Sequence, residues 1–212
     1  MNFDELIHFL EKRLKKEMPG SIAHNRMKPK MPNGAPLRIK HATSPREGGV
    51  LILFFEEDGE VKFPLIQRPT YKGVHSGQMA LPGGRRELED SGLIATALRE
   101  TEEEIGVSRN AIQVIGTLSK FFVAASNYDV LPVIGKVNER PHFTPDPREV
   151  HDIVTPSVSH LIAEDRLKEK EITAGSGMQL MSPYFDLENR TVWGATAMML
   201  SELVTILEDF KL

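Results

Sequence analysis

A glycine-rich turn, an acidic loop and a helical pattern fill residues 81–107 (LPGGRRELEDSGLIATALRETEEEIGV) and constrain the fold more than any other stretch of the chain. The helical pattern has the i, i+3/i+4, i+7 spacing of a face packed on a core, at Ile94, Ala97 or Leu98, Thr101 and Ile105. The glycines at 83 and 84 precede this pattern and Gly106 ends it, which predicts a strand–loop–helix unit.

The end of this helix carries four carboxylates in five residues: Glu100, Glu102, Glu103 and Glu104. Glutamates three and four residues apart repel one another, and glutamates at a helix C-terminus oppose the helix dipole. An acidic helical run on its own is most often a solvated face. Beside a glycine-rich loop, however, a fixed cluster of carboxylates also suits a magnesium or manganese site completed by substrate phosphate, and this context favours the metal site.

Residues 99–107 resemble the second half of the Nudix box, R-E-U-x-E-E-x-G-U with U an aliphatic residue; Thr101 takes one aliphatic position. The resemblance implies an α+β fold, an α/β/α sandwich with a mixed sheet between helices. It also implies a pyrophosphohydrolase that uses Mg²⁺ or Mn²⁺, with Arg99 orienting a glutamate. The metal ligands so implied are Glu100, Glu103, Glu104 and Asp90, and the catalytic set is Arg99, Glu100, Glu103 and Glu149.

The first half of the box, G-x5-E-x7-R, fits in two registers. Counting back from Arg99 puts Arg85 at the glycine and Ser91 at the glutamate. Starting from Gly84 puts Asp90 at the acidic position and leaves eight residues before Arg99. We prefer the second register, because this one-residue expansion resembles the coenzyme A pyrophosphatase branch of the family.

The loop before the box carries a second resemblance to that branch, whose motif is L-L-T-x-R-[SA]-x3-R-x3-G-x3-F-P-G-G. The positions in register are Arg68, Gly77, Pro82, Gly83 and Gly84. Pro69 and Leu81 depart from it, and Gly73 stands where the second arginine belongs, with Lys72 beside it. Lysine does not replace a bidentate arginine without loss. The expected substrate-binding residues are Arg68, Lys72, His75, Gln78, Gly83 and Gly84.

Two of the candidate residues keep a second interpretation. His75 stands alone in its loop, where a histidine is as often a surface group as a substrate contact. Glu149 precedes a short strand as in the family's segment after the box, and a plain surface glutamate is equally open. Aromatic residues that flank strands are more often core than base-stacking residues. We therefore assign to the core Phe121, Phe122, Tyr128 and the single tryptophan, Trp193.

The composition of the chain limits the classes of protein to which it can belong. A chain of 212 residues with 40% hydrophobic content predicts one domain, divided into an N-terminal amphipathic helix and irregular arm (1–47) packed on a Nudix hydrolase domain (48–212). The chain has no cysteine, no signal peptide and no apolar run of membrane-spanning length, so we expect a cytoplasmic location without membrane contact. Residues 84–105 hold seven acidic and three basic residues, which accounts for the whole net charge of −4.

No basic stripe indicates nucleic acid binding, so the expected partner is a small molecule, and a homodimer is left open. Apolar periodicity and turn residues predict the remaining elements. They are a helix over 2–18, strands over 48–55, 61–67, 111–118, 129–137 and 181–185, a strand that contains Asp152, and helices over 158–167 and from Trp193 onward.

The leading function is metal-dependent cleavage of the diphosphate of coenzyme A or its derivatives, to 3′,5′-ADP and 4′-phosphopantetheine. A first alternative is hydrolysis of another nucleoside diphosphate derivative, such as ADP-ribose, NADH or a dinucleoside polyphosphate. A second is a Nudix-fold module that binds a nucleotide without turnover. The carboxylates at Glu100, Glu103 and Glu104 argue against the second, since a pure binder does not need a costly acidic cluster.

Overall fold

A computed structural model describes residues 1–37, 39–73, 75–175 and 177–210. The helices are α1 (Phe3–Arg13), α2 (Ser21–His24), α3 (Leu93–Ile105), α4 (Val158–Leu161) and α5 (Gly194–Glu208), with 3₁₀ turns at Asn25–Met27, Arg109–Ala111 and Glu164–Arg166. The strands are β1 (Arg46–Glu57), β2 (Glu60–Lys62), β3 (Leu65–Gln67), β4 (Met79–Ala80), β5 (Gly83–Arg85), β6 (Gln113–Thr117), β7 (Phe121–Val123), β8 (Tyr128–Lys136), β9 (Asp152–Val154), β10 (Leu167–Thr173), β11 (Gln179–Leu187) and β12 (Arg190–Trp193).

A six-stranded mixed sheet lies at the centre, in the order β2-β1-β8-β6, with β5 paired to β1 and β7 paired to β8. The two longest strands of this sheet, β1 and β8, run parallel. Gly83 and Gly84 of β5 pair with Val50 and Gly49 of β1. The glycine-rich turn is therefore fixed directly on the central strand, next to the start of α3.

Alternate residues of β1 face two separate cores, since side chains of a strand point to opposite faces of the sheet. Ile52 and Phe54 pack with α1 and α5 on one side. Leu51, Leu53 and Phe55 pack with α3 on the other side. The expected α/β/α sandwich with a mixed sheet is confirmed.

The N-terminal segment is more ordered than predicted. Asn2 caps α1 by accepting a hydrogen bond from the amide of Glu5. The helix ends at Arg13 instead of residue 18, with Leu14 as its C-cap. The arm expected to be irregular begins with α2 and a 3₁₀ turn, where Ala23, His24 and Met27 are buried. The division of the chain at residue 48 stays a prediction.

The predicted hairpin strand over 61–67 is two strands in different sheets. β2 pairs with β1, whereas β3 joins β4 and β9 in a second, three-stranded sheet. Pro64 lies between them and has no amide hydrogen to continue the ladder. As a result β3 turns away from the central sheet and carries the following loop toward the glycine-rich turn.

A third sheet, in the order β10-β11-β12, follows α4. The helix predicted over 158–167 is wrong beyond Leu161, where α4 ends. β10 (LKEKEIT) went unpredicted because its residues are almost all exposed and show no apolar alternation. No helix within the described ranges has the length and apolarity needed to cross a membrane.

Candidate active site

Helix α3 packs on β1 with a buried face that includes an acidic residue. Gly49 permits the close approach, since a Cβ there would lie 2.3 Å from the carbonyl oxygen of Leu93. The buried face centres on Ala97 and Glu104, which is only 2% exposed. Ile94, predicted on this face, is 40% exposed, because the face is rotated toward Glu104 relative to the apolar pattern.

Arg99 lies at the centre of a buried network. Its Nε and Nη2 atoms each donate to Asp90 over 3.0 Å, and Nη2 also donates to the carbonyl of Arg85 over 2.9 Å. Its Nη1 donates to Glu103 over 2.8 Å, and Nη2 lies 3.1 Å from an oxygen of Glu100. The guanidinium therefore joins the acidic loop to the carboxylates of α3.

Asp90 is fully engaged inside this network. It also accepts hydrogen bonds from the Thr96 hydroxyl and from the amide of Glu87, each over 2.9 Å. The hydrogen bonds from Arg99 hold the pKa of Asp90 well below its ordinary value. Asp90 thus binds Arg99, a contact that was not predicted from the sequence. Its role as a metal ligand stays a prediction.

Three carboxylates converge at one point: those of Glu100, Glu104 and Glu149 each present one oxygen, and the three oxygens lie within 4.8 Å of one another. Residues 144–146 position Glu149, because the amides of Thr144 and Asp146 donate to the carbonyls of Ile105 and Glu104 at the end of α3. A cation site of hard oxygen ligands has this composition.

Burial raises the pKa of Glu104 to about 8, although the amide of Gly83 and the charge of Arg68 oppose the shift. Burial also raises the pKa of Glu100, against the effect of Arg99. The charge of Glu149 contributes to the rise at both residues. These carboxylates are thus difficult to ionise together without a cation, as expected for a metal site.

The other acidic residues of α3 lie outside this group. Glu103 is about half exposed and bound by Arg99. Glu102 pairs with Arg109 and accepts from the Arg109 amide as well. Glu103 and Asp90 therefore lie beside the group of three carboxylates and are linked to it through Arg99.

The glycine-rich turn approaches the carboxylates closely. The amide of Gly83 donates to Glu104 over 2.8 Å. A Cβ at Gly84 would lie 2.4 Å from a carboxylate oxygen of Glu100. Any other residue at position 84 would displace that carboxylate, so the glycine leaves room for it beside the turn.

A cavity of about 140 Å³ adjoins this turn. It is lined by most of the predicted substrate-binding residues: Arg68, His75, Gln78, Gly83 and Gly84. His75 Nδ1 lies 3.0 Å from Gln78 Oε1, and burial lowers the pKa of His75. The Nε atom of Arg68 is buried and has no hydrogen-bond partner among the described residues. Arg68 therefore brings an unsatisfied donor to this region.

A larger cavity of about 810 Å³ continues outward from the first, and Gln78, Met79 and Trp193 line both. Lys72, the remaining predicted substrate contact, lines only the larger one. A side chain at Gly73 would collide with the ring of Tyr71, so an arginine there would require the loop to rearrange.

Sequence reasoning assigned two of the aromatic lining residues to the core. Tyr128 lies under the guanidinium of Arg46, 4.3 Å from its ring centroid, and lines the smaller cavity. Trp193 is partly exposed and lines both cavities. Their positions at strand ends, β8 and β12, were the available signal, since strand ends border the loops that form sites.

A family model described as NUDIX domain matches residues 45–175. The chain is 31% identical over 179 residues to Nudix hydrolase 22, chloroplastic, of Arabidopsis thaliana, covering 81% of this chain and 57% of that protein. It is 30% identical over 140 residues to the Uncharacterized Nudix hydrolase NudL of Yersinia pestis, covering 66% of this chain and 69% of that protein.

Among solved structures, the MutT/nudix family protein from Enterococcus faecalis superposes with a TM-score of 0.50 at 15% identity, over 99% of this chain and 75% of that one, which shows the fold alone. The chain spans 57% of the length of the Arabidopsis protein named above. It spans 59% of the length of a second Arabidopsis relative, Nudix hydrolase 15, mitochondrial. The family model, by contrast, covers more than half of this chain. The chain therefore belongs to the NUDIX domain family.

Proposed function

We propose that this protein hydrolyses the diphosphate bond of a nucleoside diphosphate derivative with the help of Mg²⁺ or Mn²⁺. The observation that carries the proposal is the convergence of Glu100, Glu104 and Glu149 within 4.8 Å, beside the glycine-rich turn. Membership of a family whose curated relatives are named Nudix hydrolases supports it.

The carboxylate group fits a divalent cation on three counts. Its donors are all hard oxygens. Two of them, Glu100 and Glu104, are partly or fully buried, and burial raises their pKa values despite the nearby arginines. The space beside Gly84 that accommodates the Glu100 carboxylate would be filled by any side chain at position 84. Glu100, Glu104 and Glu149 would hold the ion, with Glu103 at the margin.

When bound, the ion supplies positive charge to the diphosphate and lowers the pKa of the attacking water. Arg68 binds a phosphate oxygen through its unsatisfied Nε. Arg99 fixes the orientation of Glu100 and Glu103. The water oxygen bonds to phosphorus, the bond from phosphorus to the bridging oxygen breaks, and Glu149, the exposed member of the group, takes the water proton.

Coenzyme A or one of its derivatives is the substrate we propose, with 3′,5′-ADP and 4′-phosphopantetheine as products. The loop from Arg68 to Gly84, which resembles the coenzyme A pyrophosphatase motif, lines the small cavity beside the carboxylates. A second, larger cavity gives room for an extended group on one side of the diphosphate. The cytoplasmic location and the homodimer stay predictions.

A substrate panel with product identification tests this proposal. Purified protein and magnesium are incubated with coenzyme A, ADP-ribose, NADH and a dinucleoside polyphosphate. Release of 3′,5′-ADP from coenzyme A at the highest kcat/KM is the expected result. Faster cleavage of another compound would overturn the coenzyme A assignment, and no cleavage of any compound would favour the non-catalytic binding module.

A further inference from the structure

The larger cavity lies between residues 71–73 and 76–79 on one side and one face of the third sheet on the other. On that face Lys168 stands opposite Tyr184, and Tyr184 stands opposite Trp193, so the three side chains share one side of the sheet. Lys170, two residues after Lys168, points to the same side. The smaller cavity beside the carboxylates opens past Trp193 into this space.

Two lysines on this face differ in how their charges are compensated. Lys168 Nζ donates to the carboxylate of Asp186 over 2.7 Å, which neutralises it. Lys170 Nζ donates instead to the neutral hydroxyl of Thr191 over 2.7 Å and lies 4.6 Å from the ring centroid of Tyr184. The ammonium of Lys170 is therefore held in place at the cavity wall. Within the described residues it forms no ion pair, and the charge of Asp186, which is paired with Lys168, acts on it only from a greater distance.

One further cation of the lining is free of an ion pair among the described residues: Lys72, which faces the cavity from the loop. Arg190 of β12 also lines the cavity, but its charge is compensated by Asp152 over 2.6 Å. Glu171 is the one acidic residue of the lining. It follows Lys170 in β10, so its side chain points to the opposite side of the sheet. The cavity thus offers an anion two donors of Lys170 that are not used by the protein.

We propose that the larger cavity is a second anion subsite, in which Lys170 binds a phosphate group that the substrate carries apart from the diphosphate being cleaved. This inference rests on the proposed function and narrows its substrate class to nucleoside diphosphate derivatives with a further phosphate. Lys170 then determines specificity without touching the bond that breaks.

Coenzyme A and 3′-dephospho-coenzyme A differ by one such phosphate and provide the test. With magnesium present, Lys170→Gln should raise KM for coenzyme A about 10-fold and change KM for 3′-dephospho-coenzyme A less than about twofold, as expected for loss of one hydrogen bond to a charged group. Lys120→Gln, which removes a lysine that pairs with Glu47 outside the cavity lining, is the control and should leave both KM values unchanged. Equal effects of Lys170→Gln on both substrates would overturn the subsite.

A binding measurement separates this inference from the proposed function. Calorimetry without metal compares adenosine 3′,5′-bisphosphate with adenosine 5′-monophosphate, so no turnover is needed. The parent should bind the bisphosphate about 10-fold more tightly, and Lys170→Gln should abolish that preference. A parent without the preference, or a variant that keeps it, would overturn the subsite even if diphosphates are cleaved. Binding with the expected preference but without cleavage would overturn only the proposed hydrolysis.

Discussion

Arg99 and Asp90 are joined by two parallel hydrogen bonds of 3.0 Å, and both side chains are buried. This pair fixes the acidic loop against α3, while the remaining nitrogen of Arg99 holds Glu103. The position of α3 relative to the glycine-rich turn therefore depends on one arginine whose charge needs a partner. Removing that partner would leave the guanidinium buried and incompletely compensated.

Asp90→Asn should lower the free energy of unfolding by about 3 kcal/mol, because the buried charge of Arg99 loses the most buried of its three carboxylate partners. Urea denaturation at neutral pH measures this. Glu89→Gln, at an exposed position of the same loop, is the control and should change stability by less than about 0.5 kcal/mol. Equal stabilities of the Asp90→Asn and Glu89→Gln variants would show that the Arg99 network does not hold the loop.

The stability of the metal-free protein should fall as the pH rises. The pKa of Glu104 is raised by burial from its ordinary value of 4.5 to about 8. Between these values the folded state binds more protons than the unfolded state. The stabilisation is thus present below about pH 4.5 and is lost as the pH rises through about 8. We expect a loss on the order of a few kcal/mol in the presence of a chelator.

Urea denaturation between acidic and alkaline pH, for the parent and for Glu104→Gln, measures this effect. The variant should show a flatter profile, since its amide does not ionise. Saturating magnesium should restore the stability of the parent at alkaline pH, because the metal binds the ionised carboxylates. Parallel pH profiles for parent and variant would refute the assignment of this effect to Glu104.

Glu202 of α5 anchors the N-terminal segment. Its carboxylate is fully buried and accepts from Gly20 N (2.8 Å), His24 Nε2 (3.0 Å), Ser119 N (3.1 Å) and Ser119 Oγ (2.6 Å). Burial opposes its ionisation, but the hydrogen bonds from His24 and Ser119 outweigh burial and lower the pKa of Glu202. The stabilisation by this group is therefore present above its ordinary pKa of 4.5 and is lost as the pH falls through the lowered value.

Glu202→Ala should cost about 3 kcal/mol of unfolding free energy, since it leaves several buried donors without a partner, and it should expose the segment before β1 to limited proteolysis. Glu208→Ala is the control, because Glu208 lies on the same helix and pairs with Arg26 of the same segment at the surface. It should cost less than about 1 kcal/mol. Similar losses for both variants would contradict the anchoring role of Glu202.

Gly84→Ala should weaken manganese binding at least about 10-fold, because its Cβ would lie 2.4 Å from a Glu100 oxygen and force that carboxylate aside. Electron paramagnetic resonance of free Mn²⁺ gives the dissociation constant. Gly92→Ala serves as the matched glycine control, since a Cβ there meets no atom within 4 Å. Unchanged manganese affinity in Gly84→Ala would contradict the position of Glu100 in the cation site.

The sequence was sufficient to predict a helix or a strand wherever a single apolar pattern determines that element. The run over 48–55 predicted the central strand β1, and Gly106 predicted the end of α3. It was insufficient where polar residues form a strand, as in β10, or where one proline splits a strand, as Pro64 does. In both cases tertiary contacts rather than local pattern decide the pairing.

The candidate site was predictable within the box and less so beyond it. The helix spacing placed Glu100 and Glu104 together, but it gave no means of separating Glu103, which turns to Arg99. Glu149 lies far from Glu104 in the sequence, so no local pattern predicts that the two side chains meet. Glu149 joins the carboxylate group because residues 144–146 hydrogen-bond to the end of α3. Which carboxylate binds which partner depends on these long-range contacts.

The dependence of coenzyme A hydrolysis on magnesium tests the central claim most directly, with initial rates measured for the parent, Glu149→Gln and Glu102→Gln. Glu102 is the control, as it lies on the same helix but pairs with Arg109. The account predicts a saturable requirement for magnesium, a rate at least about 100-fold lower for Glu149→Gln, and a nearly unchanged rate for Glu102→Gln. A rate independent of magnesium, or equal rates for the two variants, would contradict it.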